Sequence, residues 1–232
     1  MASSSSRSKP TKGDGALAGT NVLSTADGRT LLVRPGVRTD ARAVRDLIDA
    51  VADEPDVPLL ATPGSIALHD IRGLIVKSAH DARSLFLVAE VAGVTAGNLG
   101  GSGVGFAPSA HVFEFGMSVG AAYRGVGVGG ALLEAAVAWA TEQRYLKVVL
   151  SAFPHNTRAI AFYERHGFTF EGRRARQFHR GDRYIDEVLM ARPIGAWADT
   201  DAAPATTPEP GGCPPEPGGQ PCEPGAAPAT EV

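Results

Sequence analysis

The chain has 232 residues, of which 44% are hydrophobic, and its formal net charge at pH 7 is −3. This length allows one large domain or two small ones. The charge is not that of a general DNA or RNA binder, and no apolar run approaches the ~18 residues of a membrane span, so we expect neither a nucleic-acid nor a membrane partner.

Both ends of the chain have compositions typical of disordered segments. Residues 1–28 are rich in Ser, Gly and Thr, and nine of the 17 prolines fall between Pro204 and Pro228. Residues 195–232 also carry six acidic residues and no Lys or Arg. Such segments cannot offset the entropy that is lost on folding. We therefore predict a disordered N-terminal arm (1–28), one globular domain (29–194) and a disordered acidic Pro/Gly-rich tail (195–232).

The cysteines and the start of the chain bear on its location. Cys213 and Cys222 both lie in the predicted tail, so the domain has no disulfide framework and no cysteine ligand for a metal. The first residues of the chain lack the hydrophobic segment of a secretory signal. We expect a cytoplasmic protein that binds no metal.

The first part of the domain predicts one strand and two helices. Leu31–Arg34 is a short strand, which Pro35 ends. A helix is predicted to follow with Thr39 as its N-cap, because apolar residues then recur at helical spacing: they are Val44, Leu47, Ile48 and Val51. A second helix is predicted from Ser65, with one apolar face made of Ile71, Leu74 and Ile75.

Three strands are predicted next. Leu85–Val91 turns at Ala92-Gly93 into a partner that runs toward Gly100. The glycines between Gly97 and Gly105 indicate a loop or a frayed strand tip. Val112–Val119 is the third strand.

The second half of the domain begins with a glycine-rich stretch, Arg124–Gly130, which runs into a helix that ends near Gln143. A buried strand (Lys147–Ala152), a short helix (Thr157–His166) and a hairpin (Phe168–Phe178 with Arg183–Met190) follow. This order predicts a mixed α/β fold with a central strand–glycine loop–helix–strand unit.

The glycine-rich stretch predicts an anion site. A strand, a glycine turn and a helix N-terminus present unpaired backbone amides to phosphate oxygens. A tight turn that serves packing alone is the structural alternative. A dinucleotide site is a second alternative, because Gly125, Gly127 and Gly130 match G-x-G-x-x-G. It is disfavoured because no acidic residue ends the next strand at Ser151–Phe153.

Arg124-x-x-Gly127-x-Gly129 resembles the acetyl-CoA pyrophosphate motif of the GCN5-related N-acetyltransferases (GNAT). Three further segments resemble parts of that family. Phe113–Val119 is similar to its central strand, Asn156–Phe168 to its late helix and the strand after it, and Asp186–Met190 to a final strand common among enzymes that act on amino acids and other small amines. The resemblance spans residues 31–194 and implies a GNAT-type acyl-CoA N-acyltransferase fold.

The resemblance also implies the cofactor site. In the family, the central strand has a bulge and splays from its neighbour, and the pantetheine arm lies in the gap. Here the gap would separate Met117–Val119 from Val148–Ser151, and Gly116 favours a bulge. The residues expected to bind acetyl-CoA are Met117, Ser118, Val119, Arg124, Gly125, Val126, Gly127, Val128, Gly129, Gly130 and Asn156. Capping of the late helix is an equal alternative for Asn156.

Two residues are candidate catalysts. The family places a tyrosine at the position of Tyr163 as the acid that protonates the leaving thiolate; packing beside Phe162 is the alternative. Glu114 is the candidate base, directly or through a water, and alternation places it on the face opposite Phe113 and Phe115. The alternative for Glu114 is an ion pair with one of the arginines.

The expected function is acetyl transfer from acetyl-CoA to a primary amine in a ternary complex. The resemblance favours an amino acid or another small amine as the acceptor, and it leaves a homodimer possible. The alternatives are a module that binds acetyl-CoA without turnover and an acetyltransferase of protein N-termini or lysines. Six arginines lie between Arg165 and Arg183, and some of them are predicted to face the adenosine 3′-phosphate or an acidic acceptor; the alternative is a solvated hairpin.

Overall fold

The computed structural model of the protein describes residues 20–54, 62–180 and 182–198. These residues form eight strands and four α-helices, which confirms the predicted mixed α/β class. The strands are β1 (Asn21–Ser24), β2 (Thr30–Pro35), β3 (Ser84–Val91), β4 (Val94–Gly103), β5 (Val112–Val119), β6 (Lys147–Ala152), β7 (Thr169–Arg180) and β8 (Arg183–Pro193). The helices are α1 (Ala41–Ala52), α2 (Leu68–His80), α3 (Val128–Glu142) and α4 (Thr157–Arg165).

These strands form one sheet in the order β1-β2-β3-β4-β5-β6-β8-β7. Neighbours are antiparallel except for β5 and β6, which are parallel and are joined through α3. Only residues 112–114 of β5 pair with residues 147–149 of β6. Beyond them β5 pairs only with β4, and β6 pairs only with β8. The sheet therefore opens in its centre.

Each face of the sheet covers its own hydrophobic core. Along β3, Leu85 and Leu87 belong to the larger core, which also contains the apolar residues of α3 and Tyr163 of α4. Phe86 and Val88, on the opposite face, pack with α1 and α2. Side chains of β3 alternate between the two cores, but the sequence shows no polar–apolar alternation because both faces of the strand are buried.

The structure corrects both predicted domain boundaries. β1 lies inside the segment 1–28 that the composition predicts to be a disordered arm, and Trp197 lies inside the predicted tail. The side chains of β1 are exposed, so main-chain pairing with β2 holds this strand rather than burial. Trp197 packs against His111 with 5.0 Å between ring centroids. Residues 1–19 and 199–232 lie outside the described residues.

The glycine-rich end of β4 is also a strand and not the predicted loop or frayed tip. β4 continues to Gly103 in register with β5. A Cβ atom at Gly101 would lie 2.5 Å from the carbonyl oxygen of Glu114 and 2.5 Å from the ring of Phe113. Glycine is needed there because β5 and its aromatic side chains approach β4 so closely.

Two smaller differences concern the helices on the opposite face. α1 begins at Ala41 with Asp40 as its N-cap residue, after a short 3-10 turn that contains the predicted cap Thr39. In α2, Ile71 and Ile75 are buried as predicted, whereas Leu74 is 51% exposed. Leu74 instead lies along the edge of a cavity between α2 and the sheet.

Candidate active site

The glycine-rich stretch forms the turn between β5 and the first turn of α3. Gly125 and Gly127 have φ values of +76° and +102°, and Gly127 is the N-cap residue of α3. A side chain at such φ values is strained, which explains glycine at both positions. The first hydrogen bond of the helix runs from the Ala131 amide to the Gly127 carbonyl at 3.0 Å. The amides of residues 128–130 precede it and can bind an anion.

A hairpin that sequence reasoning missed supports this turn. The amide of Ala26, in the connection between β1 and β2, donates to the carbonyl of Val126 at 3.0 Å. The guanidinium of Arg29 lies 5.4 Å from the ring centroid of Tyr123, just before the turn. Main-chain contacts of this kind leave no pattern in the sequence, so the contact between the β1–β2 connection and the glycine turn could not be predicted.

Arg124, predicted to bind the cofactor, is engaged by the protein itself. Its guanidinium donates to the carboxylate of Glu54 at 2.6 and 2.7 Å, and its Nε donates to the carbonyl of Val119 at 2.9 Å. The side chain is 14% exposed. Arg124 thus ties the glycine turn to the segment that follows α1. A contact between Arg124 and a phosphate stays a prediction.

The opening between β5 and β6 begins two residues later on β6 than predicted. Val148 and Val149 still pair with β5, and the strands separate from Leu150 onward. Because β5 has only one partner beyond Glu114, every second backbone amide between Phe115 and Val119 faces the gap. The segment Met117–Val119 borders this gap, as predicted.

The predicted bulge at Gly116 is wrong. Gly116 pairs in continuous register with Gly100, and the irregularity nearest to it lies between Ala89 and Glu90 of β3 against β4. The strands therefore diverge without an extra residue in β5. A Cβ atom at Gly116 would have no neighbour within 4 Å, so the missing side chain leaves open space above the sheet.

A cavity of about 540 Å³ occupies that space and reaches the gap. β3, β4 and β5 form its floor, α1 and α2 cover it, and the ends of β6 and α4 close one side. Glu114 lines it from β5 and is exposed, whereas Phe113 and Phe115 are buried on the opposite face, as alternation predicts. Within the described residues Glu114 makes no ion pair, so the alternative role as an arginine partner finds no support.

Tyr163 of α4 enters the same cavity from the other face of β5. Its ring packs edge-on against Phe115 and Phe168, with 6.2 and 5.6 Å between ring centroids. Burial raises the pKa of its phenol well above the ordinary value, so the hydroxyl stays protonated at neutral pH. The phenolic oxygen makes no hydrogen bond to the described protein, and Tyr163 is one of the residues that line the cavity. Glu114 and Tyr163 thus approach the gap from opposite sides.

Asn156 both caps α4 and lines the cavity. Its Oδ1 accepts a hydrogen bond from the amide of Ala159 at 3.1 Å. The capping alternative is therefore confirmed, and a contact between the remaining amide group and a cofactor stays a prediction.

The acidic residues of the hairpin are already paired. Asp186 accepts from Arg173 at 2.6 Å and from the backbone amide of Arg176 at 2.7 Å. Glu187, which is 4% exposed, accepts from Arg174 at 2.7 Å. Both carboxylates thus hold β7 and β8 together, which leaves Glu114 as the acidic side chain on the cavity wall of the described residues.

Other residues that line the cavity belong to no sequence motif and were not predicted. Asn98, Gly100 and Ser102 of β4 line the floor, and Lys77 of α2 lines the rim. The sequence stretch that contains Asn98 is glycine-rich and indicates a loop, so the alternation that places these side chains on one face is hidden in it.

Two other classes of feature are absent from the described residues. No group of three or more His, Cys, Asp or Glu side chains in residues 20–54, 62–180 and 182–198 is placed to hold a metal ion. No helix in that part of the chain is long and apolar enough to cross a membrane.

A family model described as the acetyltransferase (GNAT) family matches residues 48–168, more than half of the chain. The chain belongs to the GNAT acetyltransferase family. This match contains the glycine turn, the opening of the sheet and both candidate catalysts, Glu114 and Tyr163.

The chain is also similar to one curated protein and to two solved structures. L-amino acid N-acetyltransferase AaaT of Escherichia coli K12 is 31% identical over 83 residues, which are 35% of this chain and 51% of that protein. A GCN5-related N-acetyltransferase from Kribbella flavida is 25% identical with a TM-score of 0.62, covering 71% of this chain and 98% of the other. A phosphinothricin acetyltransferase from Sinorhizobium meliloti, solved with acetyl-CoA, is 19% identical with a TM-score of 0.63, covering 77% and 96%.

The match to the GNAT family model covers part of the chain. The matched region spans about half the length of the curated relative. The structural likenesses reach almost the full length of the solved chains, which confirms the predicted GNAT fold.

Proposed function

We propose that this protein transfers the acetyl group of acetyl-CoA to the primary amine of an amino acid or another small molecule. The observation that carries the proposal is the meeting of the glycine turn, the open β5–β6 gap and the cavity that Glu114 and Tyr163 line. The amino-acid acetyltransferase of Escherichia coli, as the curated relative, supports this acceptor class.

The pyrophosphate of the substrate would bind at the N-terminus of α3. Backbone amides of residues 128–130 supply donors, and the helix dipole favours the negative charge. The glycine φ values at Gly125 and Gly127 set the turn before binding, so the turn needs little reorganisation.

The thioester would lie in the gap between β5 and β6. Amides of the segment Phe115–Val119 that face the gap would donate to its carbonyl oxygen and stabilise the charge that develops there. Acceptor amines would reach the carbonyl carbon from the cavity, which residues of α1 and α2 line opposite the sheet.

The proton balance uses the two candidate catalysts. The neutral amine attacks the carbonyl carbon, a C–N bond forms, and the amine proton passes to Glu114 directly or through a water. The C–S bond then breaks, and the thiolate takes a proton from the phenol of Tyr163. The proton is present on the phenol at neutral pH, but burial also makes the phenol a weaker acid, so the support for this role is the place of Tyr163 in the cavity lining and not its pKa.

An acceptor screen with the full chain tests the proposal. Thiol release from acetyl-CoA would be followed with DTNB over free amino acids, polyamines and peptide N-termini, and the acetylated product would be identified by mass spectrometry. We expect release with a small primary amine above the rate of the same mixture without acceptor. Tight acetyl-CoA binding with no release on any amine would contradict turnover and favour a binding module.

A further inference from the structure

The floor of the cavity has three pairs of residues that face α1 and α2. In each pair a residue of β4 lies directly opposite one of β5: Ser102 with Glu114, Gly100 with Gly116, and Asn98 with Ser118. Two glycines thus occupy the middle of the floor, and polar side chains occupy both ends. Adjacent pairs on one face are about 7 Å apart along the strands.

Asn98 is the anomalous member of this floor. The residue is 6% exposed, and its Oδ1 is buried without a hydrogen-bond partner among the described residues. Its strand neighbours on this face are Val88 and Ser118. Buried carboxamides in proteins are almost always hydrogen-bonded, because an unpaired polar group loses its hydration without replacement. Because Asn98 lines the cavity, a ligand there can supply the missing partner once the carboxamide turns its oxygen toward it.

The end of the floor that contains Asn98 is polar and uncharged. Two charged side chains line the cavity within the described residues, Glu114 and Lys77. Glu114 pairs with Ser102, and Lys77 also borders the smaller neighbouring cavity together with Ser102, so both lie at the opposite end of the floor. A carboxamide and a hydroxyl without a nearby charge suit a neutral hydrogen-bonding group better than a cation or a carboxylate.

The position of Asn98 also separates it from the thioester. Asn98 lies on β4, so β5 stands between it and the gap. Its face is the one that α1 and α2 cover, whereas Tyr163 comes from the other face. A ligand group at Asn98 is therefore part of the acceptor and not of the pantetheine arm.

We propose that Asn98, with Ser118 opposite it, binds an uncharged hydroxyl or carboxamide of the acceptor and selects acceptors that carry one. This inference rests on the proposed function where it names the ligand as the acceptor. An amine above the glycine pair would then have Glu114 on one side and the group held by Asn98 on the other.

The test compares acceptors that are matched in shape. Threonine with valine and asparagine with leucine each exchange a hydrogen-bonding group for a methyl or isopropyl group. The kcat/KM for each would be measured for the full chain and for Asn98→Leu. Binding of the same four compounds in the presence of coenzyme A would be measured in parallel from the shift in Tm, which does not require turnover.

We expect the unmodified protein to favour the polar member of at least one pair by 10-fold or more, and Asn98→Leu to lose this preference. The Tm of the ligand-free variant should equal or exceed that of the unmodified protein, because an unpaired buried carboxamide is replaced by an apolar side chain. Thr95→Val, which removes a hydroxyl from the same strand outside the cavity, should leave the preference unchanged. If Asn98→Leu does not fold, Asn98→Ala replaces it.

Three results would overturn the inference. They are no preference for a polar member by either readout, a preference that survives in the Asn98 variant, and a fall in acetyl-CoA affinity with an unchanged acceptor preference. The last result would assign Asn98 to the pantetheine arm. Absence of turnover with a binding preference that Asn98→Leu abolishes would instead contradict the proposed function and leave the assignment of Asn98 intact.

Discussion

The two halves of the candidate site are built from different kinds of chemical group. The cofactor side consists of backbone: a glycine turn, the first amides of α3 and the amides of β5 that face the gap. The acceptor side consists of side chains from α1, α2, β4 and β5. A backbone site tolerates any side chain that keeps its conformation, whereas a side-chain site changes whenever one residue changes.

This difference has a consequence for specificity. Backbone amides at a helix N-terminus bind any group with phosphate oxygens of suitable geometry, and they suit a co-substrate that many proteins share. The acceptor side can be altered without disturbing them. Tyr163 lies between the two halves, where the bond to sulfur would break, and its substitution offers the sharpest test of where they meet.

Replacement of Tyr163 by Phe should have the largest effect on rate. We expect kcat to fall about 100-fold or more, the typical contribution of a positioned general acid, with little change in KM for either substrate. Tm should not fall, because the hydroxyl has no hydrogen bond to lose. Tyr145→Phe is the matched control: it removes the hydrogen bond to the Arg83 carbonyl at 3.0 Å and should cost stability of about 1 kcal/mol while kcat is retained.

The raised pKa of Tyr163 also predicts how stability and kcat depend on pH. Because the pKa of Tyr163 is raised in the folded protein, its proton is present at all pH values below the ordinary tyrosine pKa of about 10. The stability that this protonated form contributes is fully present below that pH and is lost as the pH rises through the folded-state pKa. A kcat profile that falls between pH 7 and 9 and becomes flat in Tyr163→Phe would contradict this assignment.

Replacement of Gly127 by Val tests the backbone half alone. A β-branched side chain at a φ of +102° adds strain of about 1–2 kcal/mol, so affinity for coenzyme A should fall about 10-fold if the turn must keep its shape to bind. Isothermal titration with coenzyme A measures the change. Gly73→Ala, on the exposed face of α2 with no atom within 4 Å of the added Cβ, is the control and should retain full affinity.

Equal coenzyme A affinity in Gly127→Val would show that the glycine turn serves packing and that the phosphates bind elsewhere. If Gly73→Ala lost as much coenzyme A affinity, the loss in Gly127→Val would be explained by a general loss of protein stability.

Replacement of Glu114 by Gln tests the acceptor half and should have an effect similar in size to that of Gly127→Val. We expect kcat/KM for the acceptor to fall about 10-fold, since a water can still carry the amine proton away, while affinity for acetyl-CoA is unchanged. A pH–rate profile that is superimposable on that of the unmodified protein would remove Glu114 from the proton path.

Much of the cofactor side is predictable from the amino-acid sequence. Its signals are local: Gly125 and Gly127 mark positive φ, the apolar run after them marks α3, and alternation around Glu114 marks β5. Each follows from a few neighbouring residues. The alternative roles of Asn156 could not be separated in this way, because capping and ligand binding use the same atoms.

The residues of the acceptor side could not be predicted, because they depend on the pairing register of β4 with β5, which neighbouring residues in the sequence do not determine. Asn98 becomes a cavity residue only because β4 runs through its glycines and pairs with β5, and that run is possible because Gly101 admits the aromatic residues of β5. Arg124 carries a motif, yet the partner of its guanidinium is Glu54, 70 positions earlier in the chain.

The sequence by itself predicted the fold class and the glycine turn, since these follow from local backbone and side-chain preferences, and its resemblance to the GNAT family supplied the acid role of Tyr163. Only the tertiary structure decided where the sheet opens, which arginine is already paired and which polar side chain is left for a ligand, because each of these depends on contacts between residues far apart in the chain.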